Sequence, residues 1–120
     1  MSRKRHPYTK RIKLVKTGSG TEYINDEPVK PNQAIVLTSI IAQNSTHDTN
    51  KIRLGKRTGG YFQPWKEDKT VTAGTLVVEN WEHWLRTAEY FQAEFEGGQA
   101  GDECWVYLDG YWFKWANGEE

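Results

Sequence analysis

Ala34-Ile35-Val36-Leu37-Thr38-Ser39-Ile40-Ile41-Ala42-Gln43-Asn44, then Ser45-Thr46-His47-Asp48-Thr49-Asn50, then Lys51-Ile52-Arg53-Leu54-Gly55-Lys56-Arg57, is the stretch that decides the fold class. Ile35 to Ala42 is the longest strongly apolar run of the chain and is rich in β-branched residues. That composition suits a strand buried on both faces. Ser45 to Asn50 are polar turn formers. Ile52 and Leu54 then alternate with charged residues, as in a half-exposed strand. A central strand, a loop and a returning strand are expected to seed a sheet.

On the N-terminal side of this stretch, Lys10 to Lys16 alternates bases with Ile12 and Leu14, and Thr17-Gly18-Ser19-Gly20 reads as a turn. Thr21 to Ile24 is the expected hairpin partner. Pro28 and Pro31 punctuate the next segment. On the C-terminal side, Tyr61 to Trp65 is an aromatic loop or edge segment, kept off a central strand by Pro64. Lys66 to Lys69 reads as a charged turn, and Thr70 to Thr72 and Thr75 to Val78 as strands. Residues 81–96 fit two periods. Trp81, Trp84, Leu85, Ala88, Phe91 and Phe95 share a helical stripe. Phe91, Ala93 and Phe95 also alternate with Gln92, Glu94 and Glu96. The strand-like surroundings favour a strand over about 89–96 behind a loop, with a helix at about 81–96 as the main alternative.

Near the C-terminus, Asp109-Gly110 between apolar runs predicts a two-residue type I′ hairpin. Its register pairs Leu108 with Tyr111 and Val106 with Phe113. One face then carries Cys104, Val106, Leu108, Tyr111, Phe113 and Trp115, and is the expected core face. The other carries Trp105, Tyr107, Trp112 and Lys114, a ladder of large rings with a cation beside it.

The chain has 120 residues, the size of one domain with an unaided core. Sixteen bases balance sixteen acids, which argues against a dedicated nucleic-acid binder. The balance is uneven along the chain. Residues 1–16 hold seven Lys or Arg and no acid, whereas residues 79–120 hold ten acids and two bases. Ends of opposite sign favour docking on neighbours, including further copies. Residues 1–9 read as an extended basic arm and 10–120 as the folded domain. Arg3, Lys4, Arg5, Lys10 and Arg11 are the candidate docking residues. The single cysteine excludes an internal disulfide. No apolar run follows the basic start as in a secretory signal, and none reaches membrane-spanning length. Synthesis in a reducing cytoplasm is therefore expected.

For catalysis the inventory is poor. His6 lies in the arm, His47 beside Asp48 reads as turn chemistry, and His83 as a surface or packing residue. Cys104 reads as a small hydrophobe. No metal-ligand spacing and no nucleophile motif is present, so neither an enzyme nor a cofactor is expected. Six tryptophans, six tyrosines and four phenylalanines are many for this length. Such rings dominate the energetic centres of interfaces. Trp105, Tyr107, Trp112, Lys114, Tyr61 and Trp65 are the candidate interface residues.

The run Val36 to Thr46 resembles a segment of small β-sandwich structural proteins of tailed bacteriophages. In these an apolar strand ending in Asn-Ser/Thr leads across a polar loop to an alternating strand, here Lys51 to Leu54. Ala73-Gly74-Thr75-Leu76 and the strand Val106 to Gly110 extend the resemblance over roughly residues 34–113. The tryptophan content, the longer 79–96 segment and the basic arm depart from that pattern. The resemblance implies a virion component: a capsid decoration or cement protein, or a neck or tail accessory. Its partners would be further copies and other virion proteins, such as the major capsid protein or neck and tail proteins, with no membrane. The expected fold is all-β: a single antiparallel β-sandwich, jelly-roll-like, behind the N-terminal arm. A carbohydrate-binding module with Trp105, Tyr107 and Trp112 as its platform is the alternative from another class.

Overall fold

The computed structural model describes residues 3–115. Met1, Ser2 and the acidic pair Glu119-Glu120 lie outside the described residues. Nine strands are present among those residues: β1 (His6–Val15), β2 (Thr21–Asn25), β3 (Gln33–Asn44), β4 (Thr49–Thr58), β5 (Tyr61–Val71), β6 (Val77–Glu79), β7 (His83–Leu85), β8 (Tyr90–Glu96) and β9 (Glu103–Lys114). One sheet runs β1-β9-β3-β6, with β7 also paired to β3, and faces a second that runs β2-β8-β4-β5. Every pairing is antiparallel. Strands that pass in this way between two packed layers make a jelly roll. We refer to the layers as the β9 sheet and the β8 sheet.

The core lies between the layers and follows the alternation of each strand. Leu37, Ile40 and Ala42 of β3 face Ile52 and Leu54 of β4 and Phe91, Ala93 and Phe95 of β8. Residues 90–96 are thus strand, as the alternation of Phe91, Ala93 and Phe95 indicated, and the helix alternative falls away. Trp84 and Leu85, part of the apparent helical stripe, instead pair with β3. Pro64 does lie on an edge strand, but β5 continues through Lys66 to Lys69, so the charged turn expected there is strand.

Three expected pairings are replaced. Strand β3 does not pair with β4, because the loop between them carries the chain across the sandwich. Asn44 turns it: its side-chain oxygen accepts hydrogen bonds from the Thr46 and His47 amides at 3.0 and 3.2 Å. Nor is β2 the hairpin partner of β1, since β1 pairs with β9 and β2 with β8. At that crossing the buried Lys16 ammonium donates to the carbonyls of Gly20 at 2.6 Å and Phe95 at 3.2 Å, with Glu22 at 3.4 Å. Burial of a charge demands such partners. Strand β1 begins at His6, so residues 6–9 of the expected arm belong to the sheet.

The third replacement matters most. There is no hairpin at Asp109-Gly110. β9 is one continuous twelve-residue strand between β1 and β3, and neither residue has the positive φ of a type I′ turn. Gly110 serves a different need. Opposite it, Leu37 pairs with Gly110 and Ser39 with Asp109, leaving Thr38 as a bulge in β3. The backbones approach so closely that a Cβ on Gly110 would lie 2.0 Å from the Val36 carbonyl oxygen. Glycine is required by proximity, not by handedness. Without the turn, side-chain alternation runs unbroken and reverses the expected faces beyond residue 110. Cys104, Val106, Leu108 and Trp112 face the main core. Phe113 packs with Ala34 and Val36 on the outer side of the sheet, covered by Trp84, Tyr111 and Trp115.

Gly110→Ala is expected to lower stability by about 1–3 kcal/mol or more, because the new methyl group forces two strands apart. Gly18→Ala, where a Cβ meets nothing within 4 Å, should change it by less than about 0.5 kcal/mol. Urea denaturation of the pair checks this, and equal midpoints would refute the close-approach role.

Candidate functional site

Continuity of β9 gathers its odd-numbered rings on the outer face of the β9 sheet. Trp105 and Tyr107 lie nearly parallel there, with centroids 6.3 Å apart. Further along, Phe113 meets Trp84 and Trp115 edge-on at 5.6 and 5.1 Å. In β3 the outward Gln43, Ile41 and Val36 lie opposite Trp105, Tyr107 and Tyr111. A shallow groove crosses the middle of this face between Thr9 and Arg11 on one side and Ser39, Ile41 and Tyr107 on the other.

Cations from β1 and the residues before it cover the rings, because odd positions of β1 share the outer face with odd positions of β9. Arg5 lies over Tyr111 at 4.2 Å, and Arg11 and Lys13 approach Trp105 at 5.5 and 5.2 Å. Arg3 stands over Phe113 and Trp115, and Arg86 over Trp84 and Trp115. Such contacts contribute roughly 0.5–1 kcal/mol each at exposed sites. Lys13 also pairs with Glu103 at 2.8 Å. Arg5, Arg11 and Arg86 form no ion pair among the described residues.

The outer face of the β8 sheet is built differently. Arg53 is paired with Glu94 and lies 3.8 Å from Glu67, and Lys51 lies 3.9 Å from Glu96. Arg57 is held by Gln92 and the Gly60 carbonyl. This face balances its own charge across neighbouring strands.

The candidate interface residues do not all come together. Trp105 and Tyr107 share the outer face of the β9 sheet. Trp112 points the other way and stacks on His6 at 4.2 Å. Lys114 is exposed at the end of β9. Tyr61 is exposed at the start of β5, in the other sheet. Trp65 packs at the margin of the core and stacks on His83 of β7 at 4.1 Å, joining the two sheets at their open side. Of the docking candidates, Arg3, Lys4, Arg5 and Arg11 are exposed. Lys10 faces inward and binds the buried Asp26 at 2.8 Å. Asp26 also accepts from the Tyr8 hydroxyl, whose pKa is driven upward by burial and by that hydrogen bond. Sequence reasoning missed Ile41, Lys13, Arg86 and Trp84. The signal for the first two was period-2 alternation, hidden by the assumed hairpin.

One polar cluster closes an end of the sandwich. The buried Asp102 carboxylate accepts from the Asn44 side chain at 2.9 Å, from the Gln99 amide at 2.9 Å, and bonds His47 Nδ1. His47 therefore pairs with Asp102, while Asp48 caps a turn by accepting from the Ala73 amide. An acid that orients a histidine is the arrangement that prepares a general base, whether for a nucleophile, a metal-bound group or a water. Cys104 is the neighbouring thiol, but it lies in the core and burial pushes its pKa up to about 12. No group of three or more His, Cys, Asp or Glu among the described residues is arranged to hold a metal ion.

No protein-family model matches the chain, and no curated protein matches its sequence. Solved structures do. The chain is similar to a protein of Bacillus endospore appendages, described as a novel family of disulfide-linked pili, with TM-score 0.56 and 13% identity over 97% of this chain and 93% of that one. It is also similar to a chain of infectious bursal disease virus, Gx strain, with TM-score 0.51 and 13% identity. There it matches 97% of its own length but only 33% of the viral chain. The Gt strain gives TM-score 0.50 at 12% identity. At such identities the likeness shows a shared fold.

The Asp102 cluster makes a pH prediction. Burial alone would raise its carboxyl above the ordinary value, but hydrogen bonds from Asn44, His47 and the Gln99 amide outweigh it and hold it lower. A folded pKa below the unfolded one gives stability that is complete above the unfolded value and lost as pH falls through the folded value. Asp102→Asn should therefore be less stable at neutral pH, by about 1–3 kcal/mol. Its deficit against the native chain should narrow as pH falls below the ordinary aspartate value of about 4. A deficit independent of pH, followed by urea midpoints, would contradict the ionised role.

Proposed function

We propose that this chain is a non-enzymatic structural protein of a virion, which self-associates and docks on a larger assembly. In the finer reading it is a decoration or cement protein of a tailed-phage capsid, or an accessory of its neck or tail. The observation that carries the proposal is the outer face of the β9 sheet. Half-exposed Trp105 and Tyr107 with the half-exposed Ile41, rimmed by cations, have the composition of an interface: apolar centre, polar rim, and Trp, Tyr and Arg together. Support of a coarser kind comes from the fold, shared with a pilus protein and with a viral chain. The Asp102 cluster holds Asn44 and the Gln99 amide at the end of the sandwich, and this structural use, with no metal group beside it among the described residues, supports a non-catalytic reading. The sequence resemblance to phage sandwich proteins supports the virion.

The carbohydrate-binding alternative required Trp105, Tyr107 and Trp112 on one platform. The continuous strand separates Trp112 from the other two. What remains for a sugar is a pair of rings, with Trp105 flanked by Arg11 and Lys13.

Light scattering at micromolar concentration should give a mass above one chain. Replacing Trp105 and Tyr107 together by Ala should weaken docking on purified particles by about 2 kcal/mol or more while leaving the urea midpoint near native. A strictly monomeric chain that also fails to bind purified particles would contradict the proposal. Binding on a glycan array that disappears in the same double variant would favour the alternative.

A further inference from the structure

We infer that the outer face of the β9 sheet docks on a carboxylate-rich protein surface of the larger assembly, with the guanidinium groups of Arg5 and Arg11 as its anchors. This rests on the docking role proposed above and specifies its partner. Three observations carry it.

The first is the contrast between the two outer faces. On the β8 sheet Lys51 and Arg53 are matched by Glu96, Glu94 and Glu67. On the β9 sheet Lys13 is matched by Glu103, but Arg5 and Arg11 have no carboxylate within ion-pair distance among the described residues and stand over rings instead. A cation already neutralised by its neighbour gains little from a further acid, whereas one held over a ring retains its full charge for a partner.

The second is preorganisation. A guanidinium held against an aromatic ring loses much of its rotamer freedom before any partner arrives. Its planar fork of N–H donors matches a carboxylate in two parallel hydrogen bonds. The two anchors are six residues apart, Arg5 immediately before the edge strand β1 and Arg11 within it. At about 3.3 Å per residue that is roughly 20 Å, the span of a protein epitope rather than of a single small anion.

The third is the seat beside Arg11. The groove is lined by Arg11 with Ile41 and Tyr107, which offer an apolar centre for a complementary protein surface, and by Asp109, whose carboxylate is engaged by the Thr9 hydroxyl at 3.1 Å. Nucleic acid fits this face less well. Its bases need uncovered rings on which to stack, and here Tyr111 and Trp105 are overlaid by Arg5, Arg11 and Lys13.

The probe is poly-L-glutamate, compared with heparin and single-stranded oligo-dT, with binding followed by tryptophan fluorescence on the full chain. Saturable polyglutamate binding that weakens steeply with salt is expected. Arg5→Gln with Arg11→Gln should bind at least about tenfold more weakly. Lys30→Gln with Lys69→Gln removes equal charge elsewhere and should leave binding near native. Both pairs of positions are exposed, and urea midpoints confirm that each variant folds. No binding to polyglutamate overturns the inference. So does an equal loss in both double variants, or a clear preference for heparin or oligo-dT. Light scattering on the same samples keeps the two readings apart: a chain that assembles but ignores polyglutamate retains the structural role and loses this partner.

Discussion

The pairing of β9 with β1 on one side and β3 on the other sets the layout of the whole molecule. It makes β9 an inner strand of its sheet, so its two faces are committed along the whole length. Even-numbered side chains from Cys104 to Trp112 face the core and odd-numbered rings leave it. One residue permits this continuity. Gly110 passes so near the Val36 carbonyl that any side chain would push β9 and β3 apart at the Thr38 bulge. The core, the aromatic outer face and the seating of the basic N-terminal residues are all consequences of that contact.

Much of the architecture was legible in the amino-acid sequence because each strand carries its own alternation. Phe91, Ala93 and Phe95 were readable as one face of a strand, Pro64 as an edge marker, and Ile35 to Ala42 as a buried run. Which strands pair was far less legible. Hairpin reasoning joins neighbours in the chain, whereas in this jelly roll β4 and β5 alone, among the described strands, are neighbours in both chain and sheet. The crossings rest on side chains that look ordinary in the sequence, such as Asn44 folding back on the Thr46 and His47 amides, and Lys16 buried against two carbonyls. Asp109-Gly110 misled for a physical reason. A glycine needed for close approach and a glycine needed for positive φ are the same letter.

The candidate surface inherited that error and shows how it propagates. Trp105 and Tyr107 do lie on the face away from the core, because alternation up to residue 108 is independent of the residues beyond it. Only a turn would put Trp112 beside them. Once the strand runs on, Trp112 passes to the inner side against His6, and Tyr111, Phe113 and Trp115 take its place outside. The basic N-terminal segment then acquires a different character. Its arginines are laid on the rings of β9 by strand register, and the aromatic face and the basic segment become one surface. The acidic excess of the C-terminal third contributes to the opposite layer, where Glu94 and Glu96 of β8 neutralise Arg53 and Lys51.

The most direct test is the pattern of cross-strand nuclear Overhauser contacts around Leu108 to Phe113. A continuous β9 predicts backbone contacts from Leu108 to both Lys10 and Ile40, from Gly110 to both Tyr8 and Leu37, and none between Val106 and Phe113. Contacts between Val106 and Phe113 and between Tyr107 and Trp112, without those to β1 and β3, would restore the hairpin and contradict the account of both the fold and its outer face.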